Sequence, residues 1–419
     1  MEEYTWRGIA SKREWRSVRA WKPGRYRRHI IQYTTDKKSG YKLSALGFGC
    51  MRFPLDRAKT ERLIIAAVDA GVNYFDTAYI YANSEATLGE IVYKNNLRDK
   101  IYLATKLPHQ KCKNNSDFDR LFLEQLKRLK TDHIDYYLIH NISDAPSWSR
   151  LCDIGIEKWI ADKKGSGQIG QIGFSFHGAQ NGFMALIDAY DWDFCQIQYN
   201  YMGENDQAGR VGLRKAYEKG MPVMIMEPLL GGKLATGLPA KAAQLFKEAD
   251  ANRSAAAWAF RWLWNQPEVA VVLSGMNTME QLDDNLKAAE GAKHGMLSEK
   301  EAAVFAPVVA ALREAYKIPC TGCNYCMPCP KGVNIPGCFA AYNTSYVMGF
   351  IAGLIQYTTS TGANHAEKQN RANHCVNCGA CEKSCPQHIG IPQSLAAVKK
   401  RMEPFWFNAA VWIMVKFTS

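Results

Sequence analysis

The sequence has no apolar run long enough to cross a membrane and no recognisable export signal. A helix that spans a bilayer needs roughly 20 apolar residues, whereas the apolar, aromatic run Phe405–Phe417 has 13. The N-terminus lacks the apolar core of about 7–15 residues that marks a signal peptide. We therefore expect a cytoplasmic protein without an integral membrane span. Phe405–Phe417 is expected to dock as a helix or strand, with an interfacial membrane anchor as the alternative.

Acidic residues are fewer than basic ones, and the imbalance is concentrated at one end. The net charge is +12, and residues 1–28 hold nine of the basic side chains against three acidic ones. This segment mixes Trp and Arg without a clear apolar period, which predicts a disordered extension without a catalytic role. The alternatives are an arm that binds nucleic acid or membrane, or upstream sequence from a misplaced start codon. We expect no nucleic-acid partner.

Five of the 13 cysteines are scattered and eight are clustered near the C-terminus. Disulfides would require an oxidising compartment, whereas clusters held by thiolates suit a reducing cytosol. The scattered cysteines are Cys50, Cys112, Cys152, Cys195 and Cys338, of which the last lies between the two clustered runs and is expected to be structural.

The eight clustered cysteines form two runs, each ending in Cys-Pro. The second run has the spacing of bacterial ferredoxins, in which the Cys-Pro cysteine of one run ligates the cluster of the other. This crossing predicts two [4Fe–4S] clusters. The first set is Cys320, Cys323, Cys326 and Cys385, and the second set is Cys375, Cys378, Cys381 and Cys329. A zinc ribbon is the alternative, but four cysteines in each run and two Cys-Pro endings fit iron–sulfur clusters better.

Similar segments follow the two Cys-Pro endings, which suggests an internal duplication. Val333–Pro336 follows the first ending and Ile389–Pro392 follows the second at a similar distance. Between the runs, the apolar segment that starts at Tyr346 is expected to form an ordinary core helix.

Eight short apolar runs alternate with amphipathic helical patterns between Leu43 and Met276. This alternation predicts a closed (β/α)8 barrel of parallel strands. An open doubly wound sheet is the alternative, but no G-x-G-x-x-G follows the first run. The eight runs are Ser44–Cys50, Asn73–Thr77, Ile101–Lys106, Ile134–His140, Gln171–Phe176, Phe194–Tyr199, Pro222–Glu227 and Val269–Ser274.

Chemically active side chains stand where three of these runs end. Asp76, Lys106 and His140 close consecutive runs, and Tyr81 follows Asp76 by five residues. In a (β/α)8 barrel the carboxyl ends of the strands form the active-site face. We therefore expect these four side chains to meet in one mouth.

The pattern resembles the aldo-keto reductase family over roughly residues 40–290, and the added cysteine block resembles the branch of that family with a C-terminal ferredoxin-like domain. The resemblance implies a catalytic tetrad of Asp76, Tyr81, Lys106 and His140. Tyr81 would donate a proton to the developing alkoxide of a reduced carbonyl. Lys106 would lower the Tyr81 pKa, Asp76 would hold Lys106, and His140 would orient the substrate oxygen.

The resemblance also implies a nicotinamide site along the same mouth. Ser175 and Gln196 would hold the carboxamide, and Ser274, Asn277, Gln281 and Asn285 would lie at the adenosine 2′-phosphate. The remaining expected cofactor residues are Gly49, Met51, Glu227, Leu229, Gly231 and Met276.

Two departures from the family pattern keep the cofactor open. Phe176 stands where the family usually has Asn, and residues 274–281 hold no Lys or Arg to clamp a 2′-phosphate. NAD(P)H is the expected cofactor, with FMN as the alternative because clusters accept one electron at a time and hydride carries two.

Three functions follow in order of preference. The first is a nicotinamide-dependent carbonyl reductase in which the clusters tune, stabilise or regulate the barrel. The second is a flavin enzyme that passes electrons between a ferredoxin-like partner, the clusters and the substrate. The third is an electron-transfer module that docks on another enzyme. The expected domains are the extension 1–28, the barrel 29–318, and a ferredoxin-like domain 319–419 that includes the apolar tail.

Overall fold

A closed barrel of eight parallel strands forms the larger part of the computed structural model, which describes residues 30–363, 369–409 and 411. Each strand pairs with the next along the chain, and the last pairs with the first. The barrel prediction is therefore confirmed over the open sheet. After two short strands, β1 (Tyr33–Thr35) and β2 (Lys42–Ser44), the barrel strands are β3 (Leu46–Gly49), β4 (Tyr74–Asp76), β5 (Tyr102–Leu107), β6 (Ile134–Ile142), β7 (Ile169–Phe176), β8 (Phe194–Gln198), β9 (Val223–Met226) and β10 (Val269–Ser274).

Helices pack around the outside of the barrel and continue along the chain after its last strand. Their first turns carry capping residues, such as the Thr278 side chain that accepts a hydrogen bond from the Gln281 amide. The helices are α1 (Arg57–Asp69), α2 (Ser84–Lys94), α3 (Asn115–Leu129), α4 (Ala145–Asp153), α5 (Ile156–Gly165), α6 (Gln180–Ile187), α7 (Gly209–Glu218), α8 (Ala240–Ala249), α9 (Ala255–Trp264), α10 (Met279–Glu290), α11 (Glu299–Ala303) and α12 (Phe305–Ala315).

The antiparallel hairpin β1–β2 closes the end of the barrel where the strands begin, and the sequence patterns did not predict it. Tyr41 of its turn region stacks on Tyr102 with ring centroids 4.7 Å apart. It also meets the ring of Tyr136, whose hydroxyl donates to Asp36 at 2.9 Å. Because Tyr102 begins β5, these contacts seal the end opposite the predicted active-site face. Only the carboxyl end of the barrel is left for a site.

The cysteine-rich module, residues 319–409, has its own apolar core. It contains α13 (Ile335–Val347), α14 (Phe350–Ser360) and α15 (Ile391–Met402). Helices α13 and α15 both begin at Ile-Pro shortly after a Cys-Pro ending, which gives the two halves the same local structure. Phe407 and Val411 pack into this core, so the described part of the apolar tail docks on the module.

The expectation of one core helix from Tyr346 onward is wrong. The chain breaks between α13 and α14, where Gly349 adopts φ +95°. Helix α14 buries Gly353 and Tyr357 but exposes Ile351 and Ile355 by 66% and 61%. The apolar pattern therefore covers two helices, the second of which is half outside the core.

Two of the sequence predictions concern regions at or beyond the edges of the described structure. The basic extension, residues 1–28, lies outside the described residues, as does the last part of the apolar tail, residues 412–419. Among the residues that the structure describes, no helix is both long enough and apolar enough to cross a bilayer.

Gly89 makes the closest approach between α2 and α3, and this contact can be tested. A Cβ at this position would meet the Arg128 carbonyl oxygen and lie 2.5 Å from the Leu129 Cα. Because these are backbone atoms of a packed helix, Gly89→Ala is expected to lower the free energy of unfolding by about 1–3 kcal/mol or more. Urea unfolding followed by circular dichroism measures the change.

Gly165, at the end of α5, is the matched control for this substitution. A Cβ there would meet nothing within 4 Å, so Gly165→Ala is expected to leave stability unchanged or raise it by up to about 1 kcal/mol. Equal effects of the two substitutions would contradict the packing argument.

Candidate active site and cysteine centres

Lys106 and Asp76 form a buried ion pair at the carboxyl end of the barrel. Asp76 ends β4 and Lys106 lies near the end of β5, and the Lys106 Nζ is 2.6 Å from the Asp76 Oδ1. Lys106 also donates to the Thr77 carbonyl at 2.7 Å, and Gln196 on β8 donates to the other Asp76 oxygen at 2.8 Å. The side chain of Lys106 is only 1% exposed. Both charges are therefore held by hydrogen bonds as well as by each other.

Tyr81 and His140 complete a group of four side chains in this mouth. The Lys106 Nζ lies 5.1 Å from the centroid of the Tyr81 ring. The Tyr81 and His140 rings meet edge to face, with centroids 5.8 Å apart. The structure thus brings together all four side chains that the strand-end pattern indicated.

Burial is the main influence on the pKa values of Tyr81 and His140. Burial raises the pKa of Tyr81 well above its ordinary value, with further contributions from Tyr325 and Asp76. The net shift of the Tyr81 pKa is therefore upward, because burial dominates. The lowering contribution expected of Lys106 stays a prediction. Burial and the Lys106 charge lower the pKa of His140, so its imidazole is neutral. A neutral imidazole can donate one hydrogen bond.

A second buried network supports Lys106 from outside the mouth. Glu85, 2% exposed, accepts from Thr105 at 2.6 Å and from Gln125 at 2.7 Å. Gln125 also donates to the Lys106 carbonyl at 3.1 Å, and Arg128 pairs with Glu85 at 3.1 Å. This network fixes the backbone of β5 beside the ion pair. Glu85 follows Tyr81 by four residues in the sequence, and this network was not among the sequence predictions.

The expected cofactor residues line the same end of the barrel. Gly49 ends β3 beside Asp76, and Ser175 near the end of β7 accepts from the Asn141 amide at 2.8 Å. Ser274 ends β10 and accepts from Asn285 of α10 at 2.9 Å. The other expected positions lie in the loops after β3, β9 and β10: Met51, Leu229, Gly231, Met276 and Asn277.

The loop after β10 has one feature that suits an anionic ligand. It leads into the N-terminus of α10, where backbone amides and the helix dipole favour negative charge. The Asn277 amide donates to Gln281 at 2.8 Å, and the Asn277 side-chain oxygen is buried without a hydrogen-bond partner in the structure. No cationic side chain lies within residues 274–281.

The cysteines surround two separate cavities, each lined by one of the predicted crossed sets. The first cavity is lined by Cys320, Cys323, Cys326 and Cys385. The second is lined by Cys329, Cys375, Cys378 and Cys381. The Cys-Pro cysteine of each run thus faces the other run's cavity. Cys338 is buried in α13 and lines neither.

The first cysteine loop, residues 320–326, rests on the mouth of the barrel. Arg52, after β3, donates to the Gly322 carbonyl at 3.0 Å. The Thr321 carbonyl oxygen packs against Gly231, where an added Cβ would lie 2.5 Å away. Tyr325 reaches into the mouth, where its hydroxyl lies 3.3 Å from the His140 Nε2. The barrel and the cysteine-rich module therefore share one site.

Two charged side chains lie at this junction: Glu227, which the sequence analysis expected at the cofactor site, and Lys233, which it did not predict. Burial raises the pKa of Glu227 to about 7, opposed by Arg52 and Lys233. Gln387, next to the second Cys-Pro ending, donates to the Glu227 carboxyl at 3.3 Å. The Lys233 Nζ has no hydrogen-bond partner among the described residues, and burial lowers its pKa. These groups lie between the barrel mouth and the first cysteine cavity.

Comparison with protein families assigns both parts of the chain. The Aldo/keto reductase family model matches residues 45–301, and a 4Fe-4S dicluster domain model matches residues 319–390. Because the first match covers more than half of the chain, the chain belongs to the aldo/keto reductase family. It is an oxidoreductase that carries an iron–sulfur domain, which confirms the iron–sulfur prediction over zinc.

Two curated proteins are similar to most of the barrel region. An uncharacterised oxidoreductase, YrpG, of Bacillus subtilis is 28% identical over 303 residues, covering 62% of this chain and 91% of its own. A 6-dehydroglucose reductase of Novosphingobium aromaticivorans is 28% identical over 294 residues, covering 60% and 88%. Family membership implies a small-molecule substrate.

Solved structures share the barrel fold. The holo form of an aldo-keto reductase from Bacillus halodurans has a TM-score of 0.55 at 22% identity, covering 66% of this chain and 96% of its own. An aldo-keto reductase from Klebsiella pneumoniae in complex with NADPH has a TM-score of 0.54 at 23% identity, covering 66% and 94%. At these identities the likeness shows the fold.

The buried ion pair makes Asp76 a test of the site's electrostatics. Asp76→Asn keeps the shape of the side chain but leaves the Lys106 ammonium buried without its counter-charge. We expect the free energy of unfolding to fall by about 3–5 kcal/mol, measured by urea unfolding at neutral pH. In the exposed pair Lys158–Asp162 the side chains are 81% and 62% exposed, so Asp162→Asn should cost less than about 1 kcal/mol. A similar small loss at Asp76 would contradict the assignment of a compensated buried pair.

Proposed function

We propose that this protein reduces the carbonyl group of a small molecule to an alcohol by hydride transfer, with Tyr81 as the proton donor. One observation carries the proposal: the convergence of Tyr81, His140 and the Lys106–Asp76 pair at the carboxyl end of the barrel. These groups supply what the reaction requires, namely a proton donor, a neutral hydrogen-bond donor and a fixed positive charge.

Tyr81 and His140 would bind the carbonyl oxygen between them. The His140 Nε2 lies on the side of the mouth where a second hydroxyl, that of Tyr325, already approaches it. As the carbonyl carbon is reduced, negative charge develops on the oxygen, and Tyr81 gives it a proton. An alkoxide is a stronger base than a phenolate, so the transfer is favourable even though the Tyr81 pKa is raised. Lys106, 5.1 Å from the ring, then stabilises the phenolate that remains.

A nicotinamide cofactor is the proposed source of the hydride, and it fits part of the mouth. When bound, the nicotinamide supplies the hydride to the carbonyl carbon. Ser175 still has its hydroxyl proton to donate, and Gln196 uses its NH₂ end on Asp76, which leaves its amide oxygen for a carboxamide. The N-terminus of α10 and the unpaired Asn277 side chain suit the phosphate end. The NADPH-bound relative from Klebsiella pneumoniae supports this choice.

We propose that the two cysteine cavities each hold one [4Fe–4S] cluster, with the crossed ligand sets. Each cavity is lined by four thiols, the number that such a cluster requires. The dicluster family match supports the same arrangement. A ferredoxin-like redox partner stays a prediction. The flavin and electron-transfer-module alternatives are not favoured by the comparisons.

Substitution of Tyr81 tests the proposed proton donor. Tyr81→Phe removes only the hydroxyl, and we expect kcat/KM for a carbonyl substrate to fall by about 10²–10⁴-fold. The assay is carbonyl-dependent oxidation of NADPH or NADH by the cluster-loaded protein, prepared without oxygen.

Tyr79, two residues away in the same loop, is the control for Tyr81. Its hydroxyl donates to Glu124 at 2.8 Å, on the outer side of the loop, so Tyr79→Phe should retain activity. Full activity of Tyr81→Phe would overturn the proton-donor assignment. Release of tightly bound flavin from the purified protein would overturn the nicotinamide part of the proposal.

Paired cysteine substitutions distinguish crossed from uncrossed ligand sets. Cys320→Ser with Cys385→Ser removes two ligands from one cavity if the sets cross, so the second cluster and about half of the iron should remain. Cys320→Ser with Cys329→Ser damages both cavities and should cost iron from both. Iron and sulfide content and electron paramagnetic resonance provide the measurement.

Cys338→Ser is the control for these pairs, because Cys338 is buried in α13 away from both cavities. Its iron content should match that of the unsubstituted protein. Loss of both clusters from the Cys320/Cys385 pair, with one retained in the Cys320/Cys329 pair, would show that each run holds its own cluster.

A further inference from the structure

Tyr325 brings the cysteine-rich module into contact with both groups proposed to bind the carbonyl oxygen. Its hydroxyl lies 3.3 Å from the His140 Nε2, and the two rings meet edge to face at 6.3 Å between centroids. It also lies close enough to Tyr81 to affect the pKa of that phenol. The proposed reaction uses the Tyr81 hydroxyl and His140 but gives no role to the Tyr325 hydroxyl.

The loop that carries Tyr325 is held from both sides, so this contact belongs to the fold. On the barrel side, Arg52 donates to the Gly322 carbonyl at 3.0 Å, and Thr321 packs against Gly231. On the module side, Cys323 and Cys326 flank Tyr325 and line the first cavity. Tyr325 therefore stands at a defined position at the edge of the carbonyl site.

The hydrogen bonds available in the mouth indicate what a substrate must offer to the Tyr325 hydroxyl. A carbonyl oxygen accepts two hydrogen bonds, which Tyr81 and His140 supply. Once the oxygen is bound there, the Tyr325 hydroxyl loses its contact with His140 in a largely buried mouth, which is unfavourable unless it finds another partner. An oxygen on the carbon next to the carbonyl lies within a hydrogen-bond length of the carbonyl oxygen and can take that place.

We propose that Tyr325 is a specificity-determining residue of the active site, supplied by the iron–sulfur module, and that it selects carbonyl compounds with an oxygen on the adjacent carbon. The chemical class is the α-hydroxycarbonyls and α-dicarbonyls. The inference rests on the proposed carbonyl reductase function and names the substrate class of that site.

The test compares matched substrates in the cluster-loaded protein and in Tyr325→Phe. The substrates are 2-butanone and 3-hydroxy-2-butanone, which differ only in the adjacent hydroxyl. Because that hydroxyl also changes intrinsic reactivity, the informative quantity is the ratio of their kcat/KM values in each protein. We expect Tyr325→Phe to reduce this ratio by about tenfold, the effect of one lost hydrogen bond.

A binding measurement gives a second readout that does not depend on turnover. The dissociation constants of 2-butanol and 2,3-butanediol are measured by NMR titration, and the preference for the diol should fall in Tyr325→Phe by a similar factor. Tyr342→Phe removes a hydroxyl elsewhere in the module, whose hydrogen-bond partner among the described residues is Tyr346 at 3.3 Å, and should change neither ratio. Iron content equal to that of the unsubstituted protein confirms that the loop is intact.

Several outcomes would overturn the inference. An unchanged ratio in Tyr325→Phe would show that the hydroxyl does not read the second oxygen. Equal gains for both substrates would show that it merely competes with the carbonyl oxygen, and equal losses would show that it only positions Tyr81 and His140. Failure to reduce any carbonyl would count against the proposed function instead, while the binding ratios would still test Tyr325.

Discussion

The buried pair of Lys106 and Asp76 is the interaction on which the rest of the mouth depends. Two opposite charges in a desolvated site are tolerated only when their hydrogen-bonding capacity is met. Here Thr77 and Gln196 meet it, and they come from two different parts of the barrel wall. Closure of the barrel is what brings β8 around to β4. The ion pair therefore ties the electrostatics of the site to the topology of the whole sheet.

The same pair determines what Tyr81 can do. A phenol in this environment keeps its proton, because burial raises its pKa. If Tyr81 is the proton donor, as we propose, it needs stabilisation only once it has lost the proton, and the Lys106 Nζ lies 5.1 Å from its ring centroid. The ammonium would then act on the product of proton transfer more than on the resting phenol. A positive charge that is already in place where negative charge will develop is an example of electrostatic preorganisation.

Sequence patterns predicted the parts of this structure that depend on local spacing. Eight apolar runs gave eight barrel strands, and the two cysteine runs gave the sets that line the two cavities. They did not predict the β1–β2 hairpin, whose stability comes from Tyr41 stacking at the barrel end. They also missed the break at Gly349, because the apolar pattern continues through it. The hairpin depends on packing between distant segments, whereas the break depends on the positive φ of Gly349 between two consecutive helices.

The contact of Tyr325 with His140 shows the same limit most clearly, since 185 residues separate the two in the chain. Spacing identifies Tyr325 only as a residue inside a cysteine run, where its neighbours suggest a role at a metal centre. Its position follows from Arg52 and Gly231, which hold the loop against the barrel. The cysteines proposed to bind a cluster and the tyrosine proposed to bind a substrate oxygen are thereby carried by one short peptide. Any movement of that peptide changes both sites, so the cysteine-rich module cannot be treated as an appendage to an independent reductase.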